Sequence, residues 1–355
     1  MNTDPDVAIW AITPGGVQIA KKLMKTLKNA VLFLSKGLDS EINANGFHRL
    51  SPAVLKNFYR YKGHLFIMST GIVVRVIAPL IEHKTQDPAV VVINDTGAFA
   101  IPLLSGHIGG ANALAKTIAG ITNGVAVITT ATDSNGLPAI DMMATERNLI
   151  IENPDAIKKV NMAFIKREPV RLVDPYNRMK GIITDTFFVV NNRDNGNEHR
   201  DKGNGPVVEI SDLKKPEKKD RLYLRPQILS VGIGCNRGTS AEEIKGLMIQ
   251  VFQAKGLSML SIQYIATIDI KKEEQGILTL ADELGVAVRF YTSNELNQVT
   301  TIKTPSTYAK KYTGARSVCE AAAILAANSG KLIVTKKKTQ NVTLAVARIQ
   351  TGSVL

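Results

Sequence analysis

Short uncharged apolar runs recur along this chain, and each is followed by a stretch whose apolar residues fall on one helical face. Residues 7–12, 30–34, 65–68, 89–93 and 125–128 are such runs. Residues 17–27, 52–61, 71–81 and 111–121 carry the helical spacing between them. A strand that is apolar at every position is buried on both faces, which a mostly parallel sheet covered by helices provides. The alternation resumes at 228–233, with further strands expected near 262–268, 286–291, 331–335 and 342–347. Helices are expected between them, at 240–255, 278–284, 293–298 and 317–327. Ser240 and Glu243 have the spacing of a capping box for the first of these. The expected fold class is α/β: two α/β lobes with mostly parallel sheets, joined by a small middle domain and a charged linker.

The boundaries follow from where the rhythm breaks. Residues 1–133 form the N-terminal α/β domain. Residues 134–190 lose the alternation and read as a small middle domain, with a helix at 154–165 capped by Asn153. Residues 191–227 hold 9 basic and 7 acidic side chains in 37 positions, which reads as a partly exposed linker. Residues 228–355 form the C-terminal α/β domain.

Composition then narrows the function classes. The 44 Lys and Arg exceed the 31 Asp and Glu, a formal charge of +13. Such an excess favours an anionic partner. Aromatics are only 5% of the chain, which argues against a single-strand nucleic-acid surface built on stacked rings. Two cysteines, Cys235 and Cys319, are too few for a disulfide framework or a structural zinc site and fit a reducing, cytoplasmic setting. No run approaches a membrane span, and Asp4 and Asp6 precede the first apolar run where a signal peptide would be basic. His48, His64, His83, His107 and His199 are scattered, with no metal-ligand spacing.

Five segments stand out for their chemistry, and the last, Lys336, Lys337 and Lys338 after a strand, reads as a solvated turn. Ser69, Thr70 and Gly71 end a strand and open a helix that carries Arg75; helix starts of this kind bind anions, although a capped helix without ligand explains the pattern equally. The second runs from Asp95 through Ser105, Gly106, His107, Gly109, Gly110 and Asn112. Glycines around one histidine let the backbone approach a ligand, and an imidazole exchanges protons near neutrality. A tight turn with a braced histidine is the plainer alternative. The third holds Thr129, Thr130, Thr132 and Asp133 after a strand. The fourth, Gly232, Gly234, Cys235, Asn236 and Arg237, is another strand–turn–helix and could cradle a carboxylate.

Taken together these segments resemble a known family. The Ser-Gly-His-x-Gly-Gly-Ala-Asn loop at 105–112, the Ser-Thr-Gly-Ile-Val-Val-Arg stretch at 69–75 and Thr-Thr-Ala-Thr-Asp at 129–133 are similar to the N-terminal domain of the cobalt-precorrin-5A hydrolases of cobalamin biosynthesis. Residues 152–161 resemble that family's middle domain. The stretches at 231–240, 317–323 and 341–348 resemble its C-terminal domain. The resemblance implies a substrate: a cobalt-containing contracted tetrapyrrole whose ring-A acetate is closed as a lactone onto the extruded meso carbon. It also implies a reaction, in which hydrolysis opens the lactone and releases that carbon as acetaldehyde. Cobalt then belongs to the substrate, and neither an organic cofactor nor a protein-held metal is expected.

On that reading His107 is the expected general base, with Asp95 or Asp133 orienting it and backbone N–H groups from Ser105 to Gly110 as oxyanion donors. Thr70, Gly71, Arg75, Ser105, Gly106, Gly109, Gly110, Asn112, Thr130, Gly234 and Arg237 are the expected substrate contacts. The partner is a small anionic cobalt corrinoid drawn in by charge, with neither nucleic acid nor membrane expected and transient contact with neighbouring pathway enzymes compatible. A non-catalytic tetrapyrrole carrier, and a basic nucleic-acid-binding protein, are the rival readings. The sequence leaves the oligomeric state open.

Overall fold

The computed structural model describes residues 6–38, 43–83, 86–107, 109–134, 136–181, 188–190 and 205–350. They divide into two units, residues 1–142 and 143–355, and each is taken by itself below.

The first unit is built on β1 (Val7–Ala11), β2 (Ala30–Ser35), β3 (Asn45–Phe47), β4 (Gly63–Ile67), β5 (Ala89–Ile93), β6 (Phe99–Leu104) and β7 (Val125–Ala126). The sheet order is β3-β2-β1-β4-β5-β6-β7. Pairing is parallel from β3 to β5; β6 runs antiparallel to β5 and parallel to β7. The apolar runs account for the centre: every residue of β4 and β5 is buried, as strands covered on both faces require. Helices α1 (Pro14–Met24) and α4 (Ala111–Thr122) supply one core, with Ile9, Leu65 and Val91 beneath them. Helices α2 (Leu50–Asn57) and α3 (Thr70–Ile77) cover the other, an aromatic core around Trp10, Phe58 and Phe66. Two short helices follow, α5 (Ala131–Ser134) and α6 (Ile140–Glu146), the second beginning within the unit. Neither they nor β3 and β6 stand out in the sequence: three are short or mixed, and Pro102 interrupts the apolar run of β6.

The second unit holds two sheets. The first is ordered β10-β9-β11-β12-β8 and comprises β8 (Leu149–Ile151), β9 (Val170–Val173), β10 (Phe188–Val190), β11 (Val207–Ile210) and β12 (Arg221–Pro226). Helix α7 (Ile157–Lys166) buries Val160 and Phe164. Asn153 does not cap a helix here: its side chain instead ties to Arg221 O (2.8 Å) and Tyr223 N (2.8 Å). The second sheet is ordered β15-β14-β13-β17-β16, from β13 (Leu229–Cys235), β14 (Ile262–Ile268), β15 (Ala287–Tyr291), β16 (Lys331–Lys338) and β17 (Val342–Arg348). Its helices are α8 (Ala241–Lys255), α9 (Gln275–Leu284), α10 (Ser293–Gln298), α11 (Thr307–Thr313) and α12 (Cys319–Ala326). Ser240 caps α8 by accepting from Glu243 N, but the Glu243 carboxylate turns to the Asn341 amide rather than closing a capping box.

The expected linker at 191–227 is the main departure. Residues 191–204 lie outside the described residues. Beyond them, β11 and β12 are inner strands, and Val207, Val208, Glu209 and Ile210 are all buried. The composition misleads because three of its charges, Glu209, Asp212 and Arg225, are buried and paired, while Lys214 and residues 217–220 stay exposed. Glu209 accepts from Lys215 (2.8 Å) and from Arg221. Fully buried Arg225 meets Glu152 and donates to Ser211 O (2.8 Å) and Leu213 O (2.6 Å). Fully buried Asp212 takes Tyr176 Oη (2.6 Å) and Arg348 Nε (2.8 Å), while Ser258 N donates to its carbonyl (2.8 Å). A buried charge survives only when paired and hydrogen-bonded, so a charge-rich segment can be interior where its ions find each other. No helix among the described residues is long and apolar enough to cross a membrane.

Candidate functional site

Strand β6 ends at Leu104 and the chain turns back at Ser105, a non-glycine residue at φ +55°. The turn closes on itself: Ala111 N donates to Ser105 O (3.1 Å), Asn112 N to Gly106 O (2.9 Å) and Gly110 N to His107 O (2.9 Å). Ser105 Oγ donates to Asp87 O (2.9 Å), pinning the turn to the sheet. A Cβ on Gly109 would stand 2.3 Å from Ser105 Cβ, and Gly110 enters α4 at φ +87°. These two glycines are therefore demanded by the turn's own packing and backbone. The Gly110 N–H, one of the expected oxyanion donors, is spent inside the turn.

The turn delivers His107 between two carboxylates. His107 Nε2 lies 3.0 Å from Asp133 Oδ2, and Nδ1 lies 3.0 Å from Asp141 Oδ2. Thr132 Oγ1 is 3.3 Å from Nε2. Asp133 Oδ2 also accepts from Asn112 Nδ2 (3.0 Å) and Thr130 Oγ1 (2.8 Å), and Lys116 Nζ stands 3.5 Å from Oδ1. Side-chain exposure grades from 7% at Asp141 through 16% at His107 to 25% at Asp133. The graded exposure makes Asp133 the solvent-facing end and Asp141 the buried anchor.

Electrostatics follow from this placement. Asp141's hydrogen bond is the largest influence on His107 and raises its pKa; burial opposes, and Asp133 adds to the rise. Burial pushes the Asp133 carboxyl up, but Thr130, His107 and Lys116 together outweigh it and hold Asp133 below the usual carboxylate range. Carboxylates facing both nitrogens favour an imidazolium that donates to each of them. This differs from the free general base expected of His107. A ring with both nitrogens engaged has no lone pair open to water, so it begins as a proton donor.

The other expected residues divide. Asn112, Thr130, Ser105, Gly106, Gly109 and Gly110 belong to the same cluster as His107 and Asp133. Asp95 does not: it is exposed beside the start of α1, 3.5 Å from where a Gly15 Cβ would sit. Arg75 folds back along α3 to donate to Gly71 O (3.0 Å), with Thr70 at the same helix start. Gly234 lies within β13, where a side chain would collide with Thr343 Oγ1 at 2.7 Å, so packing explains it. Arg237 borders a 650 Å³ cavity shared with Glu242, Glu273 and Glu274, which is not the cationic cradle expected. Cys235 and Cys319 are both raised to about 11 by burial and stay as thiols. The residue missed is Asp141. Its signal was present, since it is the one charge in the apolar stretch 137–144.

Comparison with known proteins agrees along the length of the chain. The description "Cobalamin synthesis G N-terminal" matches residues 53–133, "Cobalamin biosynthesis central region" 138–226 and "Cobalamin synthesis G C-terminus" 229–347. The chain belongs to the cobalamin synthesis G family. Within it, the chain is 35% identical to the cobalt-precorrin-5A hydrolase of Priestia megaterium, over 97% of this chain and 95% of that one. It is 31% identical to the cobalt-precorrin-5A hydrolase of Salmonella typhimurium, over 98% and 99% of the two chains. A solved structure of a putative cobalamin biosynthesis protein G homolog from Sulfolobus solfataricus is 26% identical, covers 98% of both chains and has a TM-score of 0.36. In this member of the family the cluster around His107 draws on two matched regions, since Asp133 closes the N-terminal match and Asp141 falls in the central one.

Proposed function

We propose that this protein is a cobalt-precorrin-5A hydrolase, opening the ring-A acetate lactone of a cobalt corrinoid and releasing acetaldehyde. Family membership over the whole chain supports the substrate class. The single observation that carries the chemistry is His107 held between Asp133 and Asp141.

The reaction needs a proton given and a proton taken. Water adds to the lactone carbonyl, the ring C–O bond breaks, and the departing alkoxide takes a proton from the His107 imidazolium. Asp133, the exposed end of the chain of hydrogen bonds, takes the proton that the attacking water loses and passes it to solvent. In the second stage the freed hydroxyl gives its proton to the now neutral His107. The carbon–carbon bond to the ring breaks, its electron pair passes into the macrocycle, and acetaldehyde leaves. His107 is thus acid first and base second, and ends protonated as it began. The macrocycle accepts the electrons, so this reading uses no organic cofactor, and cobalt enters with the substrate. Two unpaired cysteines fit a reducing compartment, and we place the reaction in the cytoplasm.

The test is incubation of the purified protein with the lactone-bearing cobalt corrinoid, scoring acetaldehyde. Turnover is expected, and His107→Gln should lower it by about 10²–10⁴ while leaving the fold intact, the range for loss of a general acid–base. Corrinoid binding without any acetaldehyde would identify a carrier instead.

A further inference from the structure

The carboxyl ends of the parallel strands in the second unit's C-terminal sheet carry an unusual charge distribution. Residues 299–316 contain Lys303, Lys310, Lys311 and Arg316 and no acid. Residues 331–338 contain four lysines and no acid. The fold joins these two segments. Glu320, fully buried, accepts from Lys303 N (2.7 Å), Thr304 N (2.9 Å), Thr304 Oγ1 (2.8 Å) and Lys336 N (2.9 Å), and Lys336 Nζ donates to Thr304 O (3.1 Å). The one acid at this place is therefore consumed inside, as a clamp that fixes a cationic loop to a cationic strand end. The Asn297 side chain closes the far side of the loop through Gly314 O (2.9 Å) and Arg316 N (2.9 Å).

Register fixes where this surface lies. Lys338 pairs with Thr343, which pairs with Gly234 near the end of β13. Lys336, Lys337 and Lys338 therefore stand at the carboxyl ends of the parallel strands, where ligands of open α/β sheets bind. Lys303, Lys310, Lys311, Lys337 and Lys338 are exposed, and none is ion-paired with a described residue. Beside them α11 presents Tyr308 and Tyr312, 64% and 61% exposed, with ring centroids 4.5 Å apart. Lys337, opposite Leu344, faces the α8 and α9 side instead, while Lys311 Nζ lies 5.4 Å from the Tyr312 ring centre. Lysines beside a pair of exposed rings match a flat apolar macrocycle edged with carboxylates: the rings take its face and the ammonium groups its acids.

We propose that this lysine–tyrosine surface is a docking site for a corrinoid bearing free acetate and propionate side chains. The proposal rests on the corrinoid reading of the preceding section and concerns the second unit by itself. The test is an absorbance titration of the full-length protein with two probes, a cobalt corrinoid with free peripheral acids and the same ring with those acids amidated. Lys310→Ala/Lys311→Ala and Lys303→Ala/Lys338→Ala should each weaken the acid form about tenfold, as expected from two exposed ion pairs. Each should also flatten the fall in affinity with salt and leave the amidated ring's affinity unchanged. Tyr308→Ala/Tyr312→Ala should weaken both rings. Lys25→Ala/Lys28→Ala, of equal charge change in the first unit, is the control. Unchanged affinity in both lysine pairs overturns the proposal. So does an oligonucleotide whose binding is lost in those variants while the corrinoid's is kept. Because titration reads binding alone, wild-type protein that binds but makes no acetaldehyde defeats the hydrolase reading and leaves this one standing.

Discussion

His107 and His64 are two histidines of one unit with opposite fates. His107 gains two carboxylates and its pKa rises; His64 is sealed in the aromatic core and falls to about 4, because burial disfavours its charge. His64 accepts from Trp10 Nε1 (3.1 Å) at Nδ1 and donates from Nε2 to Phe58 O (2.9 Å), which fixes a neutral tautomer. Folded His64 thus resists a proton that the unfolded chain takes near 6.5. The stability this contributes is full above about pH 6.5 and is lost as pH falls toward 4, on the order of 3 kcal/mol. Denaturant titrations of wild type and His64→Gln should show that slope in the first only. His107 works in the other direction: its ion pairs stabilise fully below 6.5 and fade as pH rises through its raised pKa. Asp133, held low, stabilises above its ordinary 3.8 and fades as pH falls through its folded value. Asp141→Asn removes the larger support of the imidazolium. The high-pH limb of turnover should then move to lower pH, with the imidazole NMR titration moving alongside. An unmoved limb would mean that Asp141 only packs.

At the scale of elements, the site depends on a turn rather than on a helix or strand. The 105–110 turn is closed by three backbone hydrogen bonds and leaves no room at Gly109. Gly109→Ala would force Ser105 aside, and overpacking of this kind costs about 1–3 kcal/mol. Turnover should fall together with the thermal stability of the first unit, and His107 should lose its raised titration. The glycine pattern at 105–112 was legible in the sequence; its meaning was not, since glycines that admit a ligand and glycines that admit the chain's own Ser105 look alike in one dimension. The short elements β6, α5 and α6 were not legible either. With four to seven residues, and with Pro102 inside the apolar run of β6, they are set by hydrogen-bonded neighbours and not by their own periodicity.

Over the whole molecule, the second unit is held together by ions that the sequence presents as a linker. Asp212 joins β11's end to Tyr176 and, through Arg348, to the C-terminal sheet. Arg348 remains 33% exposed, so solvent moderates the loss. Asp212→Ala should lower the unit's stability by about 2–4 kcal/mol, read as a fall in the denaturant midpoint; a change under 0.5 kcal/mol would show the pair to be ornamental. The sequence by itself determined the α/β class, the parallel strands that are apolar at every position, the net positive charge, and His107 with Asp133 as centres of interest. Those properties are local, carried by period, composition and short motifs. Tertiary structure alone decided that Asp141 and not Asp95 faces His107, that the imidazole is shared rather than free, and that Glu209, Asp212 and Arg225 lie inside. Each of these depends on which side chains meet across the fold, and a carboxylate's partner is a matter of distance in space that spacing along the chain does not encode.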